Sequence, residues 1–191
     1  MLGKVSNEIR LWWKLFIMSL PESSFIGAKL RYAYWVRQIG TVGSGLFINR
    51  MANLVNAENM NVGNNFLLGA YAIIDANDSN GVFIGNNVGI AKGVYIRASN
   101  HKMDRIDVPI FEQGHKAAAV PFGNSIYSIV IEDDVWIGAH AILVSGVRIG
   151  KGSVISAGAL VSNEIPPYSI VAGNPGRVIS NRLKKFGENK V

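Results

Sequence analysis

Three histidines, thirteen carboxylate side chains and no cysteine bound the chemistry open to this 191-residue chain. A neutral imidazole can take a proton from an attacking group near pH 7, and His101 is the candidate base. His101, preceded by Asn100, stands where an ordered pattern of aliphatic residues gives way to a long irregular stretch, the kind of segment that often carries function. A base also needs a partner that holds its tautomer. Asp75, in the polar corner Asp75-Ala76-Asn77-Asp78-Ser79-Asn80, is the carboxylate placed to contact either a histidine or a substrate; the alternative is a plain turn-forming aspartate. Without cysteine there is no thiolate nucleophile or thiolate metal site, and no serine sits in a nucleophile-elbow context. Three histidines also raise zinc, but His140 falls in a different part of the pattern from His101, and His115 lies in the irregular stretch. No metal is expected.

The elements that must position these residues follow a six-residue period. Ile131, Ile137, Leu143, Ile149, Ile155 and Val161 are aliphatic at every sixth place, and small or β-branched residues follow at Val135, Ala141, Val147, Ser153 and Ala159. That is neither helical spacing nor simple alternation. Each hexad reads as a short strand plus a corner, and three hexads close one triangular coil. A single coil cannot bury its own apolar face, so coils must stack. The register recurs at Val42, Ile48 and Leu54, at Val62, Leu68 and Ile74, and at Ile84, Ile90 and Ile96, with two extra residues before Val62 and four before Ile84. Residues 102–130 carry Pro109, Gly114, Pro121 and Gly123 and no such register, which predicts a loop thrown out from one corner. Residues 1–40 instead show helical spacing through Ile9, Trp12, Trp13, Phe16, Ile17 and Leu20, then Tyr32, Trp35 and Val36. The predicted fold is mainly β, a parallel β-helix over 41–176, with an N-terminal helical segment over 1–40, the projecting loop and a basic tail over 177–191.

The net charge of +6 is concentrated at the ends: residues 1–37 hold six basic and two acidic side chains, residues 177–191 hold five and one, and the middle sums to −2. That distribution suits a few phosphates or a membrane surface better than nucleic acid. The apolar run Leu11–Leu20 contains Lys14 and is stopped by Pro21, too short for the roughly 20 residues that span a bilayer. Two helices that cap the open end of the shaft or pack in a trimer are one use for this segment, and peripheral membrane contact through residues 9–20 is the other, compatible with it. Absent cysteine and a poor signal-peptide match favour the cytoplasm, at the inner face of the membrane if that contact is made.

The stretch from Ile131-Glu132-Asp133-Asp134-Val135-Trp136-Ile137-Gly138 through Ile165-Pro166-Pro167-Tyr168-Ser169-Ile170-Val171-Ala172-Gly173-Asn174-Pro175 resembles the hexapeptide-repeat acetyltransferases, in the branch with maltose, galactoside and polysaccharide O-acetyltransferases. The resemblance covers about residues 40–180 and implies a left-handed β-helix, a homotrimer, and acetyl-CoA as donor in a groove between subunits. It assigns His101 as catalytic base. It also places the pantetheine arm along Trp136, Gly138, Ala139, Ser156 and Ala157. Where the family commonly has Thr-Lys, this chain has Ser162 and Asn163, which supply no cation, so phosphate contacts are expected to move toward Arg177 and Arg182, with Lys184 and Lys185 behind them. The run Asn100 to His115 is similar to loops acting on surface-polysaccharide sugars. It predicts a sugar or glycan acceptor, lipid-linked or free, met by Asp75 and Asn100, with the loop residues Asp104, Asp107, Glu112 and Gln113 as hydrogen-bond acceptors for its hydroxyls. An N-acetyltransferase acting on a nucleotide-linked amino sugar would use the same base, and a non-catalytic β-helix scaffold would not bind acetyl-CoA at all.

Overall fold

In the computed structural model, which describes residues 2–77 and 80–187, the chain winds as a three-faced parallel β-helix. Asp78 and Ser79 of the polar corner and residues 188–191 of the tail lie outside the described residues. The first face stacks Thr41–Val42, Met60–Val62, Val82–Ile84, Ile129–Ile131 and Arg148–Ile149. The second stacks Phe47–Ile48, Leu67–Leu68, Gly89–Ile90, Trp136–Ile137, Val154–Ile155 and Ser169–Ala172, and the third Asn53–Val55, Ile73–Asp75, Tyr95–Arg97, Ile142–Leu143 and Leu160–Val161.

Each strand is two to four residues long, so no coil can satisfy its own backbone; every coil borrows hydrogen bonds from the next. On the second face Phe47 N donates to Phe66 O at 2.8 Å, Leu67 N to Val88 O at 3.0 Å, Gly89 N to Val135 O at 3.0 Å and Trp136 N to Ser153 O at 3.0 Å. Inside the shaft the hexad aliphatics align one above another, Ile48 with Leu68, Leu68 with Ile90, Ile90 with Ile137 and Ile137 with Ile155. All are buried, and burying each such side chain stabilises the stack by about 1.5–3 kcal/mol.

The slips foreseen from the sequence all fall on one edge, between the third face and the first. The two-residue slip lies between Val55 and Met60 and includes the 3-10 turn Ala57–Asn59; the four-residue slip lies between Asp75 and Val82; the long loop lies between Arg97 and Ile129. Extra chain at that edge leaves the ladders on all three faces in step, which is why insertions are tolerated there. On the edge between the second and third faces, by contrast, His140 lies across Gly93, whose φ of +67° and closeness to the imidazole both exclude a side chain. The indole of Trp136 does the same to Gly89, where an added Cβ would stand 2.7 Å from the ring.

Two helices, α1 (Leu2–Ser19) and α2 (Phe25–Trp35), close the first coil. Arg31 is fully buried, and its Nε and Nη1 donate to Ile48 O at 2.9 Å and Leu20 O at 3.1 Å. Burial is the main cause that pulls its pKa below the usual arginine value. Lys14 Nζ donates to Asn53 Oδ1 at 2.9 Å, and Met51 N to Met18 O at 2.9 Å. Ser24 caps α2 by accepting from Gly27 N at 2.9 Å. Ser24→Ala is therefore expected to cost about 1 kcal/mol in chemical denaturation.

At the other end the expected tail is not free chain. Arg177–Asn181 folds back antiparallel on Ser169–Ala172 and pairs its edge, and Arg182–Phe186 forms a short helix, α3, capped by the Asn181 side chain. The physical reason is the open backbone edge of the last coil, which a returning strand covers.

Candidate active site

The projecting loop is ordered by two hairpins. Val120–Phe122 pairs with Ser125–Tyr127 and lies on the first face, where Phe83 packs against Phe122 with ring centroids 4.8 Å apart and against Tyr127 at 5.4 Å. Ser99–His101 pairs antiparallel with His115–Ala117, so His101 and His115 stand directly opposite each other. Their rings are 4.4 Å apart between centroids and tilted by 37°. Both side chains are exposed. By sequence His115 belongs to irregular chain; the hairpin brings it to the candidate base.

His101 opens into a 630 Å³ cleft that it lines with Asn100, Lys102, Asp104, Lys116 and Ser145. Ser145 comes from the coil above: Leu143 pairs with Ile96, so adding two residues to each places it over Ala98, beside the hairpin's base. It accepts from Ala118 N at 2.9 Å and so fastens the loop to the shaft. Register arithmetic could have found Ser145. Lys116 had no such signal, since its place depends on the hairpin pairing.

Of the expected substrate residues, Asn100 and Asp104 line this cleft. Gln113 spends its amide inside the loop, where Nε2 donates to Arg105 O at 2.7 Å and Val108 O at 2.8 Å and Oε1 accepts from Arg105 N at 3.2 Å. Glu112 is exposed on the 3-10 turn Ile110–Glu112 and does not border the cleft. Asp107 is paired with Arg105, whose hydrogen bond holds its carboxyl below the usual carboxylate range. Asp75 sits one coil below Arg97 in register; its carboxylate lies 3.9 Å from Arg97 Nη1 and accepts from Asn77 N at 3.0 Å. It meets the histidines through Arg97, not directly.

The expected donor residues occupy all three edges of the prism. Trp136, 48% exposed, borders a 420 Å³ groove on the second face together with Leu67, Asn87 and Arg182. Arg182 also bonds Asp134 and the Gly152 carbonyl. Gly138, Ala139 and Ala157 stack on the edge between the second and third faces, where Gly158 N donates to Ala139 O at 2.9 Å. Ser162 and Asn163 are exposed on the third-to-first edge, the edge that carries His101. Arg177 is exposed on the returning strand. Among the described residues, Trp136 and Arg182 share the groove on the second face and the other expected donor residues lie outside it. Among the described residues no group of three or more histidine or carboxylate side chains is placed to hold a metal ion.

Residues 128–163 match a family model described as bacterial transferase hexapeptide (six repeats), and residues 60–98 one described as hexapeptide repeat of succinyl-transferase. The chain is 34% identical over 174 residues to galactoside O-acetyltransferase of Escherichia coli (strain K12), covering 90% of this chain and 78% of that protein. It is also 34% identical over 131 residues to a chloramphenicol acetyltransferase of Escherichia coli, covering 63% of this chain and only 60% of that protein's length. A solved galactoside acetyltransferase in complex with coenzyme A superposes with a TM-score of 0.56 at 22% identity, over 95% of this chain and 85% of that one. The repeat, its three stacked faces and the extent of the galactoside O-acetyltransferase match together show that the chain belongs to the hexapeptide-repeat acetyltransferase family.

Proposed function

We propose that the protein transfers acetyl from acetyl-CoA to a hydroxyl of a sugar in a surface polysaccharide or its precursor, with His101 as general base. The observation that carries this reading is the exposed His101 imidazole opening into a cleft with Asn100, Asp104, Lys116 and Ser145, all side chains that can hydrogen-bond sugar hydroxyls. His101 takes the proton from the acceptor hydroxyl as that oxygen attacks the thioester carbonyl, and returns it to the departing thiolate. A main-chain amide beside the loop would hold the oxyanion. The donor binds along Trp136, Gly138, Ala139 and Ala157, with Ser162, Asn163, Arg177 and Arg182 toward its phosphates. The spread of these residues over three edges supports a homotrimer in which neighbouring chains share each donor groove.

Incubating the protein with acetyl-CoA and a panel of free sugars, nucleotide-linked amino sugars and lipid-linked glycans, while following thiol release, tests the reading. Turnover confined to amino sugars would replace O-transfer by N-transfer, and no binding of acetyl-CoA would leave only a scaffold. On α1, Ile9, Trp12, Trp13 and Phe16 face outward, with Trp12 69% exposed, although no described helix is long and apolar enough to cross a membrane. This supports peripheral contact with the inner face of the cytoplasmic membrane. Co-sedimentation with anionic vesicles, lost in a Trp12→Glu, Trp13→Glu double variant, is the expected result.

A further inference from the structure

We infer that His115 is the positioning residue for His101, held as a neutral imidazole by an ion-paired arginine on the strand that runs into the hairpin. This deepens the reading of His101 as base and rests on it. Arg97 is braced on several sides: Nε donates to Ser99 O at 3.0 Å, Nη1 lies 3.3 Å from the Tyr95 hydroxyl and 3.9 Å from the Asp75 carboxylate, and Nη2 lies 3.2 Å from His115 Nε2. A guanidinium has only donors, so in the last contact His115 Nε2 must accept. An accepting Nε2 puts the proton of His115 on Nδ1 and makes the ring neutral.

The consequence reaches His101 through the ring contact at 4.4 Å. A base must gain a positive charge as it removes the acceptor's proton. A second imidazolium in van der Waals contact would oppose that gain by charge repulsion. A neutral ring does not, and its face limits the orientations open to His101. Asp75 completes the arrangement, since its carboxylate offsets the Arg97 charge two links from the base. The other charged groups around the pair, Lys116 on one hairpin strand, Lys102 just past the other and Asp104 in the loop, line the cleft. Asp75, Arg97 and Tyr95 thus acquire one purpose, although none of them borders the cleft itself.

Long-range proton–nitrogen spectra of the uniformly labelled full chain test this without any acceptor, because only three histidines must be assigned. The expected spectrum at pH 7 shows His115 neutral and protonated at Nδ1. In Arg97→Met that tautomer preference is lost. The His101 ring nitrogens shift in His115→Ala and return toward their wild-type positions in His115→Phe, which restores the flat ring. With acetyl-CoA and methyl β-galactoside as probe acceptor, His115→Ala lowers kcat by about tenfold at unchanged KM for acetyl-CoA, the cost of a loosened base, and His115→Phe recovers most of it. A wild-type His115 that is charged or protonated at Nε2, or a His101 signal indifferent to His115→Ala, overturns the proposal. Thiol release that survives His101→Ala overturns the base reading instead, whatever the spectra show.

Discussion

Replacing His101 with alanine is expected to slow thiol release by 10²–10⁴-fold, roughly what a positioned general base contributes, while leaving KM for acetyl-CoA nearly unchanged. The split between kcat and KM follows from position. His101 stands on the hairpin, and none of the residues proposed to hold the donor lies on it. Folding should be indifferent to the change, because an exposed hairpin side chain can be removed within about 0.5 kcal/mol. Thiol release measured beside a urea denaturation curve checks both halves. A wild-type rate in a folded His101→Ala protein would end the proposed mechanism, and a loss of rate accompanied by unfolding would show only that the hairpin had been damaged.

The second large effect is expected one face away and has nothing to do with chemistry. Ile137→Ala should destabilise the protein by about 2–5 kcal/mol, the usual range for truncating a buried isoleucine. Ile137 is 0% exposed and sits between Ile90 below and Ile155 above, so the cavity left behind is walled by coils that cannot close in without breaking ladders on both sides. Its neighbour Trp136 projects outward from the same strand. Trp136→Ala should therefore spare most of the stability and instead weaken acetyl-CoA binding, with the indole's contact over Gly89 as the part of the change that stability would register. Denaturation midpoints and donor affinities of the two variants, taken at one protein concentration because assembly would shift the midpoints, form the comparison. A Trp136→Ala protein with unaltered donor affinity would remove that residue from the donor groove.

How much of this was legible in the chain can be judged residue by residue. Spacing alone assigns the hexad aliphatics to the shaft, and Ile131 through Val161 do pair coil on coil as the period requires. The slips before Val62 and Ile84 were legible as counts, because a corner can absorb extra residues while each face keeps its register. The returning strand Arg177–Asn181 was not, since its partner is an edge that exists only once the last coil has formed. Nor was the internal use of Gln113, whose amide is drawn into the loop by carbonyls that only the folded loop exposes.

The six-residue period by itself determined the architecture of this protein, because burying one aliphatic side chain per short strand can be satisfied only by stacking coils. It also determined that His101 lies where the stacking is interrupted. Only the tertiary structure decided what surrounds that histidine. His115 comes opposite it through the pairing of two strands separated by loop, Lys116 follows on the same strand into the cleft, and the Asp75 carboxylate meets Arg97 rather than a histidine. Periodicity specifies which side chains point inward, but a cleft is built from those that point outward, and their neighbours are set by cross-strand pairing that no local pattern encodes.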